Sequence, residues 1–292
     1  MFAANLLYRV PILAKLAWQP YKLLPRGTPL PILFGYGRGL RFFWQWNPTY
    51  NLGVFEYPTQ EVLGQALSFR SRQNAEDSGA VFYDVGANEG FFSVLASRLV
   101  GSSGQVVAFE PHPESAHHIR RNLQINGLHP PHVLFYQKAV GDTGGTARLI
   151  SQGHTMSHLS SADGLSQPWT EAQSRYLQSG QIHEVEITTL DTVVGQGGRL
   201  PDLLKIDVEG AEVAVLRGAR GLLESNPPVI LCEFHSPDTA TTGGELLREY
   251  GYSFCEIGGP KGLRAIQSPS FWTLAIPRGN MTSLQWWRPG SR

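Results

Sequence analysis

From Ala80 onward the chain alternates short, almost wholly apolar runs with amphipathic ones, and this rhythm limits the fold more than any other feature. Strands are expected at 81–85, 105–110, 133–140, 202–207, 228–234, 252–257 and 271–276. Helices are expected at 90–100, 113–126, 211–224 and 240–250. In the first of these Phe92, Leu95, Ala96 and Leu99 share a face, and in the third Val215, Leu216, Ala219, Leu222 and Leu223 do. Runs such as "PVILCEF" leave no polar side for water, so they belong to a mostly parallel sheet covered on both faces. The expected fold is a Rossmann-like α/β domain. Its ligand site should lie where the strands end at their carboxyl edge.

The remainder of the chain breaks this rhythm. Residues 1–65 read as an N-terminal arm or accessory segment, rich in aromatics and prolines, with irregular structure and a short strand or two. "TQEVLGQALSFRSRQ" then reads as one helix capped by Thr59, so the main domain is set at 66–292. The alternating stretches "GGTARLIS" and "HEVEITTLDTVV" suit a hairpin, and the polar excursion between them, 152–182, is either a lid or disordered.

Lysine plus arginine equals aspartate plus glutamate at 24 each, so no basic excess exists to replace counterions, and a nucleic-acid partner is not expected. Cys232 and Cys255 both fall in apolar runs and read as reduced core thiols of a cytoplasmic protein. The apolar N-terminus is broken by Arg9, Pro11, Lys15, Pro20 and Lys22, so no run is long enough to span a bilayer. Basic residues among Trp18, Tyr21 and leucines suit either peripheral contact with a membrane surface or an arm packed over the domain.

Five strand ends carry the chemistry. "AVFYDVGANEGFF" interrupts a buried strand with Asp84, Gly86, Asn88, Glu89 and Gly90, either for a tight turn or to let a ligand approach the backbone. Asn88 stands where a dinucleotide fingerprint needs its second glycine. Glu110 ends the next strand, either placed to accept hydrogen bonds from a ribose diol or standing as a solvated loop charge. Asp142, after "QKAVG", could accept from an adenine amino group or simply open a turn. In "KIDVEGAE", Lys205, Asp207 and Glu209 alternate; the two acids either line the cleft or cap the next helix. Glu233 lies within an apolar run, where an unpaired carboxylate is costly, and His235 follows as a base or a surface residue.

"FYDVGANEGFFS", "AFEPHPES", "KAVGD", "TTLDTV" and "PDLLKIDVEGAEVAVLRGA", in this order over roughly 80–260, resemble the FkbM family of S-adenosylmethionine-dependent methyltransferases. The resemblance implies a class I methyltransferase fold of seven strands, the last inserted antiparallel between the fifth and sixth. The strands of Cys232 and Cys255 would then lie two apart, too far for a disulfide. It implies that Asp84, Gly86 and Asn88 hold the methionine part of the cofactor, Glu110 the ribose and Asp142 the adenine. It also implies methylation of a hydroxyl on a sugar or secondary metabolite, with a small molecule or glycan as acceptor.

A hydroxyl is a poor nucleophile, so a base or metal is expected beside it. Asp207 and Glu209 are the first candidates, Glu233 and His235 the next. Carboxylate oxygens would suit Mg²⁺, though the ligand set is not legible. The competing readings are a nicotinamide-dependent oxidoreductase, against which the missing glycine speaks, and a non-catalytic nucleotide-binding or scaffold protein.

Overall fold

The computed structural model describes residues 7–9, 17, 19, 23–44, 47–73, 79–151, 157–160, 180–259 and 262–278. The sequence rhythm resolves into strands β3 (Val81–Val85), β4 (Gln105–Phe109), β5 (Val133–Tyr136), β10 (Leu203–Ile206), β11 (Val229–Glu233), β12 (Tyr252–Gly259), β13 (Gly262–Ile266) and β14 (Trp272–Pro277). They form one sheet in the order β13-β12-β14-β11-β10-β3-β4-β5. Strands β5, β4, β3, β10 and β11 run parallel, and β14 enters antiparallel to both β11 and β12. That is the seven-strand class I methyltransferase order, extended by β13, which turns back on β12 as an edge hairpin.

Side-chain alternation along each strand sorts the core into two layers. On one face Phe82, Val106, Ala108 and Leu231 meet α2 (Tyr57–Gln73), α3 (Phe91–Leu99) and α4 (Pro113–Ile125). On the other, Tyr83, Val107, Leu204 and Ile230 meet α5 (Leu190–Gly195), α6 (Glu212–Arg217), α7 (Arg220–Ser225) and α8 (Pro237–Glu249). Cys232 and Cys255 are free, buried and on opposite faces, with β14 between their strands.

Several expected elements shift. The strand expected at 133–140 ends at Tyr136; Ala139–Val140 (β6) leaves to join a second sheet with β7 (Gly145–Ser151), β8 (Ser157–Ser160) and β9 (Gln181–Thr188), in the order β6-β9-β7-β8. Within it β7 and β9 pair antiparallel, as the alternating flanks suggested. The helix expected at 211–224 breaks at Gly218 and Ala219. A side chain at Gly218 would meet the Gly141 carbonyl at 1.9 Å, and the Gly218 carbonyl accepts from Asp191 N–H at 3.0 Å. Helix α8 starts at Pro237, not 240, because Ser236 and Thr239 close a reciprocal capping box. Helix α2 starts at Tyr57, leaving Thr59 inside it and running through the boundary set at residue 65. Most of the 152–182 excursion, and Trp18 and Tyr21, lie outside the described residues.

The N-terminal segment packs against the sheet's helices. It contributes hairpin β1 (Pro29–Pro31)–β2 (Arg41–Phe43) and α1 (Pro48–Leu52). Phe42, Tyr50 and Phe55 surround Phe91 at ring-centroid distances of 5.1–5.8 Å. Buried Asn122 on α4 accepts from Phe43 N–H and donates to the Glu89 carbonyl, both at 2.9 Å, tying β2 to the turn that opens α3. Among the described residues no helix is long and apolar enough to cross a membrane.

Candidate active site

The turn between β3 and α3 shows why "GANEG" has its form. Gly86, Asn88 and Gly90 are all left-handed, at φ +79°, +49° and +83°. Asparagine tolerates that region better than most side chains do. The Phe109 carbonyl accepts from both Gly86 and Ala87 N–H, at 3.0 and 2.9 Å, holding the turn against the end of β4. The missing Cβ of Gly86 makes room for protein: it would stand 1.7 Å from the Asp207 carbonyl oxygen.

Next to this turn, Glu110 is buried, with each carboxylate oxygen accepting one backbone N–H, from Asn88 at 2.9 Å and from His112 at 2.8 Å. Burial pushes its carboxyl up to about 7 against the pull of those two N–H groups. Gly86, Asn88, Glu110 and Pro111 line a cleft together with Val140 of β6 and Leu149 of β7. Asp207, Val208 and Glu209 line it as well. The second sheet is tied down by His112 Nε2, 3.0 Å from Ser151 Oγ.

This donor set fits a nucleoside. Each Glu110 oxygen keeps a lone-pair direction for a ribose hydroxyl, and Val140, Leu149 and Phe109 offer apolar surface to a base. Two of the expected cofactor residues lie elsewhere. Asp84 is fully buried beneath the cleft, accepting from Ser93 Oγ at 2.6 Å and lying 3.8 Å from Lys205 Nζ. Asp142 is exposed on the turn between β6 and β7, because β6 carries it away with the second sheet.

The four residues expected around an acceptor do converge. His235 Nε2 lies 3.7 Å from Asp207, 3.5 Å from Glu209 and 3.8 Å from Glu233. Parallel pairing sets the ends of β10 and β11 side by side, and antiparallel pairing sets Glu233 opposite Trp272. Glu209 reaches the group from a left-handed φ of +51°, a strained setting for a non-glycine residue. Burial, with the charge of Asp207, pushes Glu233 up to about 7. For His235, burial works against the charged ring, but the Glu212 hydrogen bond and the charges of Glu209, Glu212 and Asp207 outweigh it and raise the ring to about 9.

Three further groups complete the site. Lys205 is buried, 3.0 Å from Asp207 and over the Phe92 ring. Burial opposes its charge, yet Asp207, Asp84 and Glu56 hold the ammonium above its ordinary value. Glu212, fully buried, accepts from Gly210 N–H and bonds His235 Nδ1, both at 2.7 Å. In the sequence it reads only as an acid in the first turn of a helix. Glu56 comes from the N-terminal segment at φ +41°. Burial pushes it up to about 8 although Lys205 draws it down, with Asp207, Glu233 and Asp84 adding to the rise. Nothing in its local sequence marks it.

The family model for the methyltransferase FkbM domain matches residues 84–254, well over half of the chain. The chain belongs to the FkbM methyltransferase family. Its fold is therefore that of the S-adenosylmethionine-dependent methyltransferases. Two curated relatives are each 29% identical to the FkbM domain protein described here. AMB antimetabolite synthetase AmbE of Pseudomonas aeruginosa aligns over 69% of this chain and 11% of its own length. Methyltransferase 1 of Beauveria bassiana aligns over 58% of this chain and 71% of its own. The chain thus spans about a tenth of the length of the first of them. Among solved structures, the methyltransferase FkbM of Methylobacillus flagellatus is 14% identical with a TM-score of 0.45, covering 78% of this chain and 51% of that one. A methyltransferase of Agrobacterium tumefaciens is also 14% identical, with a TM-score of 0.44, covering 88% and 71%.

Proposed function

We propose that this FkbM protein transfers a methyl group from S-adenosylmethionine to a hydroxyl of a small molecule or glycan, with sugars and secondary metabolites as the acceptor class. The observation that carries the reading is the convergence of Asp207, Glu209, Glu233 and His235 at the sheet edge beside the Glu110 cleft. Bound S-adenosylmethionine supplies an electrophilic methyl on a sulfonium sulfur. Glu110 would hold the ribose, the turn at Gly86 and Asn88 would position the methionine part, and Val140 and Leu149 would shield the base.

On the acceptor side, the new C–O bond forms as the C–S bond breaks, so the hydroxyl must give up one proton. A carboxylate of the cluster takes it. Glu233, raised to about 7, is matched to proton transfer near neutral pH. Lys205 donates to Asp207 at 3.0 Å and fixes its side chain. Carboxylate oxygens suit Mg²⁺, but an imidazole nitrogen among them is foreign to a Mg²⁺ shell. A non-catalytic role on the same fold finds no supporting observation in this crowded, strained edge.

The test is transfer from a donor labelled at the methyl carbon to a panel of hydroxyl, amine and carbon acceptors, read by NMR of the product. Label should appear on oxygen. Asp207→Asn and Glu209→Gln should each lower turnover by about 10²-fold or more, while S-adenosylmethionine binding, measured by calorimetry, persists and is lost in Glu110→Ala. Label on nitrogen or carbon, or unchanged turnover in both variants, would remove the reading.

A further inference from the structure

We infer that Asp207, Glu233 and His235 form a binding site for one divalent first-row transition ion of the Mn²⁺ type. An oxygen of each carboxylate and a ring nitrogen of His235 all lie within 4.8 Å of one another. The Nε2 distances, 3.7 Å to Asp207 and 3.8 Å to Glu233, compare with the spacing of about 3.0–3.4 Å that ligands take around an ion bound at about 2.1 Å. A shift of a few tenths of an ångström per side chain brings each carboxylate to ligand spacing from Nε2. Asp207 directly follows β10, Glu233 ends β11 and His235 lies two residues beyond it, so all three stand at one edge of adjacent strands.

The second and independent observation is Glu212. A histidine that ligates a metal through one ring nitrogen almost always gives the other to a carboxylate or carbonyl, which fixes the tautomer and aims the ligand atom. Here Nδ1 is held by Glu212 at 2.7 Å, and Nε2 is thereby turned toward Asp207, Glu209 and Glu233. Glu212 is fully buried, and its other oxygen has no hydrogen-bond partner among the described residues. Burying a carboxylate with both of its bonds, to Gly210 N–H and His235 Nδ1, on one oxygen is costly if it only anchors a half-buried histidine. Orienting a metal ligand accounts for it.

Charge points the same way. Asp207, Glu209, Glu212 and Glu233 gather around His235 with Lys205 as the nearby cation. A dication offsets that excess. The mixed oxygen and imidazole set selects the ion, since Mg²⁺ and Ca²⁺ take oxygen ligands while imidazole suits the first-row metals. Glu209, 3.5 Å from Nε2, is within reach as a fourth ligand. Asp207 also lines the cleft below Glu110, so an acceptor hydroxyl could complete the shell there. The ion's part in methyl transfer rests on the proposed function, with Glu233 then a ligand in place of the proton acceptor; its binding does not.

The test is titration of Mn²⁺ into the purified, chelator-treated protein, reading free Mn²⁺ by electron paramagnetic resonance. One saturable ion per chain is expected, not displaced by a tenfold excess of Mg²⁺. His235→Ala and Asp207→Asn should abolish saturation, and Glu212→Gln should weaken it by about 10–100-fold. Circular dichroism of each variant secures the fold, and His235→Asn serves if the alanine variant unfolds. No saturable binding by the wild type, or binding unaltered in both ligand variants, overturns the site. S-adenosylmethionine titrated into the same samples separates the two claims. Its binding without Mn²⁺ binding overturns the metal site alone. Mn²⁺ binding without that of S-adenosylmethionine upholds the site and overturns the methyl-transfer reading.

Discussion

Glu110 carries the most consequence of any single residue. It ends β4 in a setting where burial favours its neutral form and two backbone N–H groups favour the carboxylate, leaving it near pH 7. With Glu110 holding the ribose as proposed, its carboxylate must accept from the hydroxyls, so binding requires the proton to leave. Affinity for S-adenosylmethionine should therefore be flat above pH 8 and fall by up to about tenfold per unit below pH 7. Glu110→Gln should bind more weakly at pH 8 and show little slope across this range. Calorimetry at five pH values decides it; a wild-type profile as flat as that of the glutamine variant would show that the proton is not coupled to binding.

Among elements, the contact between the β3–α3 turn and the end of β10 sets the site's shape. Gly86 is left-handed and faces the Asp207 carbonyl, so Gly86→Ala meets strain and a backbone clash together. A loss of about 3 kcal/mol or more is expected in urea unfolding, and a change below about 1 kcal/mol would refute the packing argument. The glycine was legible in the sequence, but its reason was not, because the approaching atom belongs to a residue distant in the chain. The same division runs through the fold. The central strands were legible because residues such as Val81–Val85 are buried on both faces. The break at Gly218 depends on Gly141 and Asp191, and the departure of β6 depends on pairing with β9, so neither leaves a local trace. The acids that end β10 and β11 stood out as charges closing apolar runs, and the structure brings them together. Glu212 hid as an ordinary helix-start acid, and Asp142 lost its expected place when β6 changed sheets.

For the whole molecule, the N-terminal segment supplies the unforeseen group. It packs Phe42, Tyr50 and Phe55 on Phe91 and carries Glu56 into the field of Lys205, Asp207, Glu233 and Asp84. Glu56 rises from an ordinary 4.5 to about 8 on folding. The folded protein thus holds this proton more tightly than the unfolded chain. Stability from it is complete below pH 4.5 and is lost as pH climbs to about 8, an effect of at most about 5 kcal/mol. Glu56→Gln removes the titration while keeping the shape. Wild type and variant should unfold at similar temperatures near pH 4.5, diverge progressively with the variant more stable, and run parallel above pH 8. The 24 acidic and 24 basic residues balance overall, so a general charge effect would not single out this position. A difference between the two proteins that stays constant with pH would mean that Lys205 keeps Glu56 ionised in the fold. The N-terminal segment would then contribute a standing negative charge to the Asp207–Glu233 edge rather than a proton.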